Sequence, residues 1–248
     1  MNWTFKSWIE EDKDFAPKRK VDNKLSWKIH NLIGSFNSVK MDRTVEYESL
    51  GECLFYFYLE LDHSVIRYYV QPVEVEFKAL KTDGDIKKWV HVPDVLVFKN
   101  GSRPYLFQIK ENPITTPKHE LVNRRCDKYA EVNGWDYKVI YPKQIPDKIL
   151  RNIKSLHGAL KKRKWFDEWI PIVEMRLRYM GKIAIIDLAK SFSTQISPLF
   201  ILPVIYHLIA KGVFTTNIYQ EIDEYSEISM GSLLEQIDQF ILEEGDNG

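Results

Sequence analysis

The apolar and polar pattern is most distinctive at residues 46–61, which are apolar nearly all round. A helix packed against a sheet has this character, so the pattern predicts a helix, although the density of aromatic residues leaves a strand open. Ser49 is a suitable polar residue near the start, and Asp62 follows the end. Glu48 and Glu52 would then share one face, where a buried carboxylate needs a cation or a route to the surface.

The segments that follow combine strand and helix patterns. Predicted strands lie at residues 65–77, 90–98, 104–110 and 135–141, with a helix at 118–132. Residues 82–84 form a polar turn or loop, and Asn100 with Gly101 marks a hairpin turn. The order helix, strand, hairpin, helix, strand predicts an α/β core with a mixed sheet.

The last third of the chain has an apolar helical pattern. Predicted helices lie at residues 146–164, 168–179, 185–192 and 198–211, followed by a β-like segment at 213–219. This order is typical of a winged helix-turn-helix. Residues 199–207, however, lack the Arg, Asn or Gln side chains that read a major groove, which favours protein docking over DNA reading. An amphipathic helix opens the acidic tail at 232–248, and we expect its apolar stripe to pack on its own domain.

These patterns predict four parts with different composition. They are an N-terminal basic and aromatic arm at 1–36, an α/β domain at 37–145, a connecting helix at 146–165 and a helical, winged-helix-like domain at 166–248. The aromatic residues that would pin the arm to the body are Trp3, Phe5, Trp8, Phe15 and Trp27. The basic residues at 18–20 are either solvated or contact nucleic acid, and Lys24 and Lys28 add to the basic character of the arm. The basic run at 161–164 is either a solvated helix end or a phosphate contact.

Composition narrows the class of protein only slightly. The 248 residues are 44% apolar and 28% charged, and 35 basic residues balance 35 acidic ones. This neutral total neither supports nor excludes a polyanionic partner, although basic residues concentrate near the N-terminus and acidic ones near the C-terminus. Cys53 and Cys126 lack metal-like spacing, which indicates reduced thiols, and no apolar run reaches the length of a membrane span. We therefore expect a cytoplasmic protein.

The candidate chemistry lies on the predicted hairpin. Asp94 stands at the start of its first strand, and Gln108 and Lys110 lie two residues apart on its second strand, so they point to the same face. A carboxylate and an amide oxygen can hold Mg²⁺, and a lysine can orient a water against a phosphodiester. The spacing alone fits a solvated strand pair better than a catalytic site.

Four ordered blocks carry a resemblance to a known family. Residues 38–52, 65–72, 92–94 and 108–110 resemble the N-terminal domain of TnsA-type transposon endonucleases, and the resemblance covers residues 36–142 with a C-terminal part of similar character. It implies a restriction-endonuclease-like catalytic core that cuts DNA at transposon ends. It also implies two partners, an integrase-type transposase (TnsB-like) and an AAA+ ATPase regulator (TnsC-like).

The resemblance also implies the site residues. They are Glu52, Asp94, Gln108 and Lys110 as catalytic residues, with Glu52, Asp94, Gln108 and the Ile109 carbonyl holding one or two Mg²⁺ ions, for which Mn²⁺ would substitute. Gln108 replaces the Glu or Asp usual in the wider nuclease superfamily, as it does in TnsA-type members. Glu48 is the alternative to Glu52 on the helix. No covalent intermediate is expected.

Several basic residues are candidate phosphate contacts, and two other functions also fit the sequence. The basic residues that could contact DNA are Lys40, Arg43, Arg124, Arg125 and Lys128, each of which fits a plain surface role as well. One alternative function is a stand-alone restriction or repair endonuclease. The other is a non-catalytic assembly subunit that recruits an ATPase.

Overall fold

The computed structural model describes residues 1–19, 33–80, 86–114 and 116–241. They form two compact units, which we call the first unit (residues 1–53 and 64–143) and the second unit (residues 54–63 and 144–241). Several sequence predictions fall outside the described residues: Lys20, Lys24, Trp27, Lys28, the loop at 82–84 and the end of the acidic tail.

The first unit is built on a mixed sheet. The elements up to residue 143 are α1 (Ile9–Asp14), β1 (Gly34–Ser38), β2 (Arg43–Tyr47), α2 (Leu50–Leu61), β3 (Val65–Val70), β4 (Val75–Leu80), β5 (Ile86–His91), β6 (Val95–Lys99), β7 (Tyr105–Ile109), α3 (Pro117–Val132) and β8 (Asp136–Ile140). Strands β3, β6, β7 and β8 are neighbours in that order, antiparallel except for the parallel pair β7–β8. This arrangement confirms the predicted mixed sheet.

The core of the first unit lies on this sheet. Tyr68 on β3, Leu96 on β6 and Leu106 on β7 are fully buried. Helix α3 buries Val122, Cys126 and Ala130, as its periodicity predicts. Its first turn begins at a proline after Thr116, whose side chain accepts the main-chain N–H of His119.

Three predicted boundaries are wrong for identifiable reasons. Residues 43–47 are strand β2, in which Val45 and Tyr47 are buried and their neighbours exposed, so the helix begins only at Leu50. The segment 65–77 is two strands, β3 and β4. The segment 90–98 is also divided, because β5 ends at His91 and β6 begins at Val95. Pro93 lacks the N–H that a continuous strand would need there, and the interruption places Asp94 at the start of β6.

Part of the N-terminal arm packs on the first unit, as predicted. The rings of Trp3 and Trp8 meet the ring of Phe98 edge-on, at centroid distances of 5.3 and 5.0 Å, and Phe15 lies 5.3 Å from Tyr69. Phe5 does not take part, since 94% of it is exposed.

The second unit is mostly helical. Besides residues 54–63, which include the last turns of α2, it contains α4 (Asp147–Ala159), α5 (Phe166–Met180), β9 (Ile183–Ala184), α6 (Ile185–Lys190), α7 (Pro198–Ala210), β10 (Phe214–Thr215), β11 (Glu227–Met230) and α8 (Leu234–Ile241). The short strands pair antiparallel in the order β10, β11, β9. Sequence patterning missed β11 but correctly predicted the buried stripe of the last helix, including Ile237 and Ile241. None of the described helices combines the length and apolar character needed to cross a bilayer.

Candidate active site

Asp94 is fixed by the first unit's own backbone. Its main-chain N–H donates to the carbonyl of Phe107 at 3.1 Å, and its carbonyl accepts the N–H of Gln71 at 2.7 Å. Its carboxylate oxygen Oδ2 accepts the main-chain N–H of Ile109 at 2.5 Å. The carboxylate is therefore held against the end of β7, on a residue that is only 9% exposed.

Gln108 joins this carboxylate to a histidine. Its amide nitrogen Nε2 donates to Oδ2 of Asp94, and its amide oxygen Oε1 lies 2.7 Å from Nε2 of His91. His91 is the last residue of β5, and its ring meets Phe77 edge-on at 6.4 Å. In this orientation the amide oxygen of Gln108 is hydrogen-bonded to His91 and points away from Asp94.

Glu52 is held at the first turn of α2 by a capping arrangement. The main-chain N–H of Glu52 donates to Oγ of Ser49 at 3.1 Å, while Oε2 of Glu52 accepts the N–H of Glu48 at 2.9 Å. The Ser-x-x-Glu spacing, typical of the first turn of a helix, is present in the sequence at Ser49 and Glu52. The side chain of Glu48 pairs instead with Arg19.

The two carboxylates are coupled electrostatically. Burial, followed by the charge of Glu52, raises the pKa of Asp94 to about 8. Burial also raises the pKa of Glu52, against the lowering effects of the hydrogen bond from the Glu48 main chain and the charge of Arg19. Because each raised pKa records a carboxylate that is costly to ionise, the pair is suited to a nearby cation.

Lys110 belongs to the same electrostatic cluster. It follows β7 directly, and its main-chain N–H donates to the carbonyl of Ile140 at 3.0 Å. Burial lowers the pKa of its ammonium group, and the negative charge of Asp94 partly opposes that effect. The structure thus brings Glu52, Asp94, Gln108 and Lys110 into one interacting set, while the carbonyl of Ile109 stays a predicted ligand only.

The chemistry of the donor set fits a hard divalent cation. Two carboxylates and an amide oxygen are ligands of the kind that Mg²⁺ binds, and the raised pKa of both acids indicates that burial makes their ionised forms costly. Across the described part of the chain, no group of three or more His, Cys, Asp or Glu side chains is arranged to hold a metal. A cation here would therefore depend on Gln108 and on main-chain or water oxygens as well.

The predicted DNA contacts divide into two kinds. Lys40 donates to the carbonyl of Val65 at 2.7 Å, and the guanidinium of Arg43 lies 5.6 Å from the ring centre of Tyr69, so both have local roles. On α3, by contrast, Arg124, Arg125 and Lys128 are exposed. Arg125 makes one long bond, 3.4 Å, to the carbonyl of Glu76.

Two residues of this site were not identified from the sequence. His91 carries no motif, and only the pairing of strands brings it to Gln108. Gln71 adopts a left-handed backbone with φ of 48°, a strained conformation for a residue other than glycine, while supporting the carbonyl of Asp94. It precedes Pro72, a position that ordinarily favours extended backbone, so local patterning indicates the opposite conformation.

Comparison with known proteins adds an observation from another part of the chain. Residues 144–218 match the family model described as the TnsA endonuclease C terminal. The match lies wholly in the second unit, whereas the carboxylates, Gln108 and Lys110 lie in the first. A comparison with curated proteins found no match.

Proposed function

We propose that this protein, which is TnsA-like, is the Mg²⁺-dependent DNA endonuclease subunit of a cut-and-paste transposase, hydrolysing the 5′ strands at the transposon ends. The observation that carries the proposal is the coupled set Glu52, Asp94, Gln108 and Lys110. The similarity of residues 144–218 to the TnsA C terminal supports it independently, since that segment contains none of these four side chains.

Each side chain has a role that its surroundings support. Asp94 and Glu52 would hold the cation, with Gln108 and the Ile109 carbonyl as further ligands. Bound Mg²⁺, or Mn²⁺ in its place, would supply charge to neutralise the scissile phosphate. Lys110, an ammonium group with a lowered pKa beside Asp94, would hold the attacking water or stabilise the charge that develops on phosphorus oxygens. Hydrolysis would leave a 3′-hydroxyl and a 5′-phosphate.

The architecture supports a restriction-endonuclease-like core in the first unit. Its mixed sheet carries Asp94, Gln108 and Lys110 at the ends of β6 and β7, and α2 supplies Glu52. In the second unit, α6, α7 and the sheet of β9, β10 and β11 support a winged-helix-like domain.

The second unit would serve protein contacts. Leu199 and Phe200, in the first turn of α7, are 74% and 56% exposed, and Tyr179 at the end of α5 is 90% exposed. Such side chains fit docking to a protein better than reading of base edges. The partners would be an integrase-type, TnsB-like transposase, which cuts and joins the 3′ ends, and a TnsC-like ATPase.

The decisive experiment compares strand-specific products. The chain would be combined with the transposase and ATPase expected as partners and with labelled transposon-end DNA in Mg²⁺. Asp94→Ala and Lys110→Ala should abolish 5′-strand cleavage while 3′ cleavage and joining persist, and Lys190→Ala, an exposed lysine of α6, should behave as wild type.

Two results would favour the alternatives. Unchanged 5′-strand cleavage in both variants would indicate a non-catalytic assembly subunit. Robust cleavage of plain DNA by the isolated chain, with no partner requirement, would instead indicate a stand-alone nuclease of the restriction or repair type.

A further inference from the structure

His91 is hydrogen-bonded to Gln108, one of the residues of the proposed metal site. Its Nε2 lies 2.7 Å from Oε1 of Gln108, whose Nε2 donates to Asp94, so three side chains form one continuous hydrogen-bonded chain. The backbone of β5 is paired with β4 over its whole length, which fixes where the imidazole stands.

The NH₂ group and the oxygen of the Gln108 amide need opposite kinds of hydrogen-bonding partner. Its NH₂ group needs an acceptor and its oxygen needs a donor or a cation. In the observed orientation, the NH₂ group faces the carboxylate of Asp94 and the oxygen faces His91, so Nε2 of His91 must carry the ring proton. A ligand role for Gln108 requires the reverse, with the oxygen on the side of Asp94.

A neutral imidazole can serve either orientation. It has one donor and one acceptor nitrogen, and the proton can reside on Nδ1 instead of Nε2. Nε2 of His91 would then accept from the turned NH₂ group of Gln108, so the hydrogen bond between these two side chains would be kept in either orientation. Among other side chains at this position, Phe would offer no polar atom, and the charged ammonium of Lys would offer no acceptor.

We propose that His91 is a positioning residue that sets the orientation of the Gln108 amide, donating to Oε1 when the cation is absent and accepting from Nε2 when it is bound. The inference rests on the proposed function, since it assumes a divalent cation beside Asp94. His91 lies outside the proposed ligand set, and its role depends on which ring nitrogen carries the proton.

The first test measures binding of Mn²⁺ by the full chain, from the electron paramagnetic resonance signal of free Mn²⁺. His91→Phe should weaken binding by about 10- to 100-fold, as loss of a group that orients a ligand typically does. His91→Gln restores a terminal group that can either donate or accept, and should bind within about threefold of wild type by the same reasoning. His63→Phe, an exposed histidine in the second unit, is the matched control.

The second test needs no variant. Long-range ¹H–¹⁵N correlation spectra of the wild-type chain report which ring nitrogen of His91 carries the proton. The proton should reside on Nε2 in the metal-free protein and on Nδ1 after addition of Mg²⁺. An unchanged tautomer in the Mg²⁺-saturated protein, or wild-type Mn²⁺ affinity in a folded His91→Phe, would overturn the role of His91 alone. Failure of wild type to bind Mn²⁺ more tightly than Asp94→Ala would overturn both this inference and the proposed metal-dependent function.

Discussion

Oδ2 of Asp94 accepts the main-chain N–H of Ile109 at 2.5 Å, which fixes the carboxylate at the start of β6 against the end of β7. The same oxygen accepts the amide of Gln108. Two donors on one oxygen favour the ionised carboxylate, yet burial and Glu52 outweigh them and raise its pKa. This balance makes the ionisation of Asp94 sensitive to its surroundings.

Replacement of Asp94 by Asn should reveal this sensitivity in the metal-free protein. Because the folded-state pKa of Asp94 is raised from 3.8 to about 8, its contribution to stability is full below about pH 4 and is lost as the pH rises through about 8. Asp94→Asn should therefore melt several degrees above wild type at pH 8.5, with the difference shrinking towards pH 4.5. Thermal unfolding in EDTA at several pH values measures this difference in melting temperature, and Asp187→Asn, at an exposed position, is the control. A difference independent of pH would contradict the assignment.

Substitution of Gln108 by Glu should make the metal-free site less stable. A third carboxylate would replace the NH₂ donor to Asp94, and an uncompensated buried charge costs about 3 kcal/mol. We expect denaturant unfolding in EDTA to show a loss of this order at pH 8, largely recovered in saturating Mg²⁺, because a ligand that binds the folded state stabilises it. The exposed Gln195→Glu should show neither effect. Equal destabilisation with and without Mg²⁺ would count against a cation at this site.

Two variants can separate the structural and chemical roles of Glu52. Ser49→Ala removes the cap of α2 and should reduce stability by about 1 kcal/mol, whereas Ser193→Ala, an exposed serine, should not. Glu52→Gln keeps an oxygen to accept the N–H of Glu48 and removes a buried acid whose pKa is raised, so its stability should equal or exceed that of wild type while 5′-strand cleavage is lost. Urea unfolding and cleavage assays give the two readouts. Retained cleavage by Glu52→Gln would leave Glu52 with a capping role only.

The exposed basic residues of α3 should bind DNA through phosphates. Arg124→Ala combined with Lys128→Ala should weaken binding to unrelated DNA sequences equally, and should reduce the slope of log affinity against log salt concentration by about 2. Fluorescence anisotropy at several salt concentrations measures the slope. Lys40→Met should instead reduce stability, since it removes the bond to the Val65 carbonyl. An unchanged salt slope in the double variant would exclude these phosphate contacts.

The sequence predicted well where a pattern repeats along one element. The helix at 117–132 and its buried stripe follow from apolar residues spaced one turn apart, and the Asn133–Gly134 end follows from local backbone preference. The start of α2 was misplaced because the alternating strand β2 ends at Tyr47, only three residues before the helix begins at Leu50, so the segment 46–61 spans two different periods.

The sequence by itself determined the residue types of the candidate site and the order of its elements, because Asp94, Gln108 and Lys110 are set by short-range strand geometry. Tertiary structure decided their environment. Only the pairing of strands and the packing of α2 bring Glu52 into electrostatic contact with Asp94, raise the pKa of Asp94, and place His91 on Gln108. Such effects depend on distances between residues far apart in sequence and on exclusion of water, neither of which a local pattern encodes.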